Sequence, residues 1–137
     1  MPQEVFDQIE AALTADRFAY FTEWNKNFFN LDQTLGTRIS AEAVQDAWNT
    51  AVAASPEGTI ACVATWHTDF RADLPKINIP VLVLHGTEDR ILPIAACGAR
   101  THQLIPGSEY VPIRGAGHGL CWTHADDINT ELLRFFK

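Results

Sequence analysis

The chain is 137 residues long, 47% apolar and 20% charged, the size and make-up of one globular domain around a single core. Ten Lys and Arg against 17 Asp and Glu give a net charge of −7, which argues against a nucleic-acid partner or an anionic membrane surface. No apolar run approaches the roughly 20 residues of a membrane-spanning helix, and the opening MPQEVFDQIE lacks the basic and greasy blocks of a secretory signal, so a cytoplasmic protein is expected.

Up to about Trp66 the text reads as helices. Pro2 can open the first, since its missing N–H is not needed there, and Val5, Phe6, Ile9, Ala12 and Leu13 recur at helical spacing. Ala15-Asp16-Arg17 reads as a short break, with Asp16 placed to cap a second helix. Phe18, Phe21, Trp24, Phe28 and Phe29 form an aromatic stripe on that helix. Gly36-Thr37-Arg38 is a loop and Ser40 an N-cap for a third helix, whose apolar face is Ala43, Val44, Ala47, Trp48, Ala51 and Val52. Ser55-Pro56-Glu57-Gly58 punctuates before a fourth short helix ending near Trp66. The aromatic rings of this group fill the space between helices or face a pocket; the pattern allows both.

From about Ile77 the pattern becomes strand, helix, strand, helix. Ile77 to Leu84 is almost continuously apolar, as in a parallel strand covered on both faces, and Gly86 ends it. After the polar turn Thr87 to Arg90, Pro93 is expected to begin a helix carrying Ile94, Cys97, Thr101 and Leu104. A second strand spans Glu109 to Ile113, followed by the glycine-rich loop Gly115 to Gly119. A last helix is expected from Trp122 to Phe136, with Trp122, Ala125, Ile128, Leu132, Leu133 and Phe136 inward and Thr123 and Asp126 at capping-box spacing. The charge shifts with the pattern: residues 1–68 carry nine acids and three bases, residues 69–137 eight and seven.

Two strands joined by a helix imply a right-handed parallel crossover, so both following loops leave the same carboxyl edge of the sheet. Asp89 follows the first strand and His118 the second. Such an acid can accept a hydrogen bond from one imidazole nitrogen and leave the other as a general base. The glycines beside His118 permit tight backbone and close approach of a substrate. His85, His102 and His124 are expected to be structural, exposed or, for His124, at the rim of the site. His67, Asp69 and Asp73 have no metal-ligand spacing, and no metal is expected. Cys62, Cys97 and Cys121 form no CxxC pair, so they are read as reduced and mostly buried, with Cys97 packing inward.

The segment Leu84-His85-Gly86-Thr87-Glu88-Asp89-Arg90-Ile91-Leu92-Pro93-Ile94 resembles the strand-and-acid segment of α/β-hydrolases. More narrowly, it is similar to that of the cofactor-free (non-haem) haloperoxidases, perhydrolases, esterases and γ-lactamases. Gly115 to Ala125 resembles their catalytic-histidine loop, and PQEVFDQIEAA, Asn27 to Asp32 and Trp66 to Leu74 resemble their helical cap. The resemblance implies a partial α/β-hydrolase: a helical cap at 1–68, then the last two parallel strands and their helices at 69–137. It implies Asp89 as the triad acid, His118 as the base, and an acyl pocket lined by Phe18, Phe21, Trp24, Phe28 and Trp66. No cofactor and no metal are implied. Acyl transfer would go to water or to hydrogen peroxide, the latter giving a peracid that can oxidise halide.

The family's nucleophile is a serine on a Gly-x-Ser-x-Gly elbow preceding the cap. Here Ser40, Ser55 and Ser108 are the serines, and none sits between such glycines. Cys121, three residues after His118, has no elbow to present it. The sequence therefore reads as the C-terminal half of a hydrolase, inactive alone, or as a truncated module acting in oligomerisation or interaction. A two-stranded parallel sheet has little independent stability. The chain is accordingly expected to pair with a separate N-terminal half or with a second copy of itself, and to meet a small ester, amide or carboxylic acid only when completed.

Overall fold

A computed structural model describes residues 3–137, so the role foreseen for Pro2 lies outside the described residues. Helix α1 runs Gln3–Phe28 and is kinked at Asp16, whose backbone is extended (φ −157°, ψ 92°). The Asp16 carboxylate accepts from Phe18 N and Ala19 N at 3.0 Å, so the acid that breaks the first segment caps the second. A single turn, α2 (Leu31–Thr34), comes next, and nothing in the residue pattern marks it. Helices α3 (Ala41–Ala53) and α4 (Pro56–Thr65) start as expected, with Ser40 Oγ accepting from Ala43 N and Ser55 Oγ from Gly58 N. The Arg17 guanidinium donates to Val52 O and Ala54 O at 2.9 and 3.0 Å, tying α1 to the last carbonyls of α3. Phe6, Leu13, Phe21 and Val63 form the buried centre of this helical group, with Ile9, Tyr20, Trp48 and Ile60 packed around them.

Past the 3-10 turn Leu74–Lys76, strand β1 spans Leu82–Gly86 and pairs in parallel with β2 (Glu109–Ile113), in register Leu82 to Glu109 through Gly86 to Ile113. The ladder is shorter than the apolar run suggests. Val81 O still accepts from Glu109 N at 2.8 Å, but residues 77–80 lie outside the ladder because β2 offers no partner before Glu109 and Pro80 has no N–H to donate; Ile79 is left 70% exposed.

The crossover helix α5 is Gly98–Leu104, not a helix from Pro93. Residues 93–97 form turns, ending at Cys97 with non-helical backbone (φ −122°, ψ −84°). The reason is steric: a Cβ on Gly98 would stand 2.6 Å from His85 Nδ1, so the chain reaches β1 with bare backbone before turning into helix.

The last helix is also broken. Helix α6 (Leu120–Thr123) and helix α7 (Ala125–Phe135) meet at His124 (φ −131°, ψ 38°). Thr123 Oγ1 bonds Gly119 O and His124 Nδ1, so the expected Thr123–Asp126 capping box does not form. Ile128 and Leu132 pack on Ile113 and Ala116, whereas Trp122, Leu133 and Phe136 face outward and do not belong to the inward face assigned from spacing. The cysteines depart from expectation too: Cys62 and Cys121 are exposed, and only Cys97 is partly covered.

Candidate active site

The site grows from the register of the two strands. With Gly86 opposite Ile113, the loops after β1 and β2 leave the same edge side by side. Thr87 N donates to Ile113 O at 3.0 Å, Glu88 N to Ala116 O at 2.9 Å, and Gly115 N to Thr87 Oγ1 at 2.9 Å. A Cβ on Gly86 would stand 2.2 Å from Ala116 O, so only glycine lets the loops approach this closely.

Asp89 and His118 meet there. His118 Nδ1 donates to Asp89 Oδ2 at 2.8 Å. The other carboxylate oxygen, Oδ1, accepts from Ile91 N at 2.9 Å and Leu92 N at 2.8 Å. The acid is buried and its orientation is set by its own turn, whereas the imidazole is partly open. With Nδ1 committed to the carboxylate, the neutral ring carries its lone pair on Nε2.

A third residue completes the arrangement. His85, at the end of β1, donates Nε2–H to Leu92 O at 2.8 Å, and the same nitrogen stands 3.2 Å from Asp89 Oδ2. From the residue pattern His85 is expected to be structural or exposed; in the fold it shares the oxygen that holds His118. Nothing in the one-dimensional pattern marks it, because its partner Leu92 lies in a turn that the pattern assigns to the approach of a helix.

The aromatic residues divide. A cleft of about 330 Å³ is lined by Val5, Ile9, Trp24, Trp66, Ile91, Leu92 and His118, with Arg90 at its side. Phe28 packs edge-to-face on the His118 ring, centroids 4.9 Å apart. Phe21 instead belongs to the helical core, and Phe18 lies 53% exposed against Trp48. Helical spacing puts Phe18, Phe21, Trp24 and Phe28 in one stripe; the elements packed against that helix decide what each ring meets, Trp48 of α3 for Phe18, Val63 of α4 for Phe21, and the histidine loop for Phe28.

Arg90 forms a two-pronged pair with Asp32, at 2.8 and 3.0 Å, and this holds the Asp32 carboxyl below its ordinary range. His124 is buried against Thr123 rather than placed at the rim, and burial, reinforced by Arg38, pushes its pKa down. His102 bonds Ser108 and stacks on Tyr110. Asp69 is paired with Arg71 and Asp73 with Lys76, and His67 lies on Phe6. The serine hydroxyls are also committed: Ser40 and Ser55 cap helices, and Ser108 donates to Ile105 O. Burial and the nearby Asp89 carboxylate raise the Cys97 thiol, which suits no nucleophile.

The family model for the alpha/beta hydrolase fold matches residues 3–125. The chain belongs to the α/β-hydrolase fold family. As a member of it, the chain is 50% identical over 98% of its length to a Synechocystis protein named for non-heme chloroperoxidase, covering 49% of that protein. It is 29% identical over its whole length to a bifunctional esterase/perhydrolase of Acinetobacter calcoaceticus, covering 50% of it. A bromoperoxidase from Bacillus anthracis superposes with a TM-score of 0.92 at 36% identity, over 99% of this chain and 49% of that one. This α/β-hydrolase chain thus spans about half the length of the relatives it matches. Among its described residues no helix is long and apolar enough to cross a membrane.

Proposed function

We propose that this chain supplies the acid, Asp89, and the base, His118, of a hydrolase that transfers acyl groups through a serine to water or to hydrogen peroxide. The nucleophile would come from polypeptide outside these 137 residues. One observation carries the reading: a buried carboxylate, clamped by two backbone N–H groups, accepts from His118 Nδ1 at 2.8 Å where the imidazole borders an apolar cleft.

In this mechanism His118 Nε2 takes the proton of the serine hydroxyl as its oxygen attacks the acyl carbonyl. Asp89 holds the ring in the useful tautomer and stabilises the imidazolium. The protonated ring then gives its proton to the leaving alcohol or amine, and an acyl-enzyme remains. Water or hydrogen peroxide, deprotonated by the same nitrogen, attacks that ester and releases an acid or a peracid, while the proton returns to the serine. Trp24, Trp66, Ile91 and Leu92 offer an apolar wall to the acyl chain. The names of the relatives, which include chloroperoxidase, bromoperoxidase and esterase/perhydrolase, support this class of reaction.

The partner is the complementary part of such a sheet. The half-covered β1 and the exposed Ile79 support this, since β1 is paired along one edge only among the described residues. The test is reconstitution. The chain alone is expected to leave p-nitrophenyl acetate unhydrolysed and to take no fluorophosphonate label. Mixed with a polypeptide bearing the preceding strands and a Gly-x-Ser-x-Gly elbow, it is expected to give turnover and serine labelling that His118→Ala abolishes. Equal turnover by the His118→Ala mixture refutes the reading. A second reading, a non-catalytic interaction module, is favoured by the exposed apolar residues Phe70, Ile79 and Phe136, and would show as tight association of the two polypeptides with no turnover.

A further inference from the structure

Asn30 is unusual on three counts. It is fully buried, it adopts the left-handed conformation (φ 52°, ψ 54°), and its side chain points at the backbone of both functional loops. Its Nδ2 donates to Glu88 O at 2.9 Å, and Glu88 immediately precedes Asp89. Its amide carbon would lie 2.9 Å from a Cβ on Gly117, and Gly117 immediately precedes His118. One amide therefore bonds the residue before the acid and packs against the residue before the base. Its neighbours pull the same way: Phe28 O accepts from Gly119 N at 2.7 Å, and Asp32 pairs with Arg90. Non-glycine residues in the left-handed region are uncommon, although Asn tolerates it better than most, and such residues cluster where local geometry serves function.

We propose that Asn30 is a positioning residue: it fixes the separation of the acid and histidine loops, and so the hydrogen bond between Asp89 and His118. The inference rests on the acid–base reading given above. The Asn30 side chain makes no hydrogen bond to Asp89 or His118; it acts through the Glu88 carbonyl and through the contact with Gly117. Gly117 leaves the space the amide occupies, and this explains glycine at a position with no positive φ.

The ring nitrogens of His118 report this directly by 15N NMR of the whole chain, because they distinguish the Nδ1–H from the Nε2–H tautomer. In the unaltered chain the neutral ring is expected as Nδ1–H; an Nε2–H ring there would overturn both this inference and the acid–base reading. Asn30→Gly keeps the left-handed backbone and removes the amide. Asn30→Asp keeps the shape but turns an oxygen toward Glu88 O. Each is expected to raise the Nε2–H share about tenfold, the scale of one buried hydrogen bond, with helical circular dichroism unchanged. Gly117→Ala, which crowds an intact Asn30, is expected to do the same. If the unaltered chain shows Nδ1–H and all three variants keep it, the positioning role is refuted while the acid–base reading stands. Global unfolding of both Asn30 variants also refutes it, since it would make Asn30 a requirement of the fold and not of the site.

Discussion

Asp89→Asn tests the acid most sharply, because the change is nearly isosteric and each hydrogen bond it touches is known. Oδ1 would still accept from Ile91 N and Leu92 N, but as a neutral oxygen. Hydrogen bonds to charged groups contribute roughly 1 kcal/mol more than neutral ones, so these two together lose about 2 kcal/mol. On the other side an amide NH₂ would face His118 Nδ1 and His85 Nε2, which now stand 2.8 and 3.2 Å from Oδ2. His118 escapes the donor–donor clash by moving its proton to Nε2. His85 cannot do so without giving up its bond to Leu92 O. Relief from burying a charge offsets part of the loss, and the net destabilisation is about 2–3 kcal/mol. For a chain of this size that lowers Tm by roughly 6–15 °C. Thermal melting by circular dichroism gives the first number and 15N spectra of His118 give the tautomer. In a reconstituted enzyme the same change should cost about 10⁴ in turnover, because the base nitrogen would then carry the proton. A Tm within a degree of the parent, with His118 still protonated on Nδ1, would refute the reasoning.

Other consequences rest on single contacts. Gly86→Ala drives a Cβ to 2.2 Å from Ala116 O, a backbone atom that cannot rotate away, and should destabilise by about 2 kcal/mol or more in urea unfolding. Arg90→Ala breaks an ion pair whose members are both substantially exposed, so thermal melts should show little change, and that little should shrink further in salt. His124 is buried with its pKa pushed below 6.5, so the unfolded state takes up the extra proton. Stability should therefore fall as pH drops below about 6.5, and His124→Asn should flatten that part of the Tm–pH curve.

Some elements are legible in the sequence because their causes are local. Ser40 and Ser55 announce helix starts by chemistry that needs only the next three residues, and Asp16 announces the kink in the same way. The strands are visible as apolar or β-branched runs bounded by Gly86 and Gly115, and the loop positions of Asp89 and His118 come from the parallel crossover. The features that sequence misplaces depend on contacts distant along the chain. The start of α5 is set by the His85 ring against Gly98, the length of β1 by where β2 begins, and the inward face of the last helix by a break at His124. The aromatic stripe misleads for a related reason: helical spacing shows which rings share a face, and it is the neighbouring helices that decide what the face meets. The same limit hides His85 and Asn30, whose roles exist only once turns 89–92 and 115–119 are brought together.

The acid–base pair is secured by contacts that lie wholly within this chain. Asp89 is oriented by the turn that contains it, the loops are stitched by Thr87, Glu88 and Gly115, and Asn30 and Phe28 reach the same stitch from the helical side. A histidine held in this way does not wait for a nucleophile in order to find its tautomer. Under the proposed function, the ordering that catalysis would need is already present in these residues, and a joining segment would have only to set a hydroxyl within reach of Nε2. Losses at Asp89, Asn30 or Gly86 should for that reason act on the pair before any partner arrives, and be readable in the spectra of the chain alone. Losses in the β1 edge should leave those spectra unchanged and act only on reconstitution. That separation makes the pair and the docking edge independent experiments on one molecule.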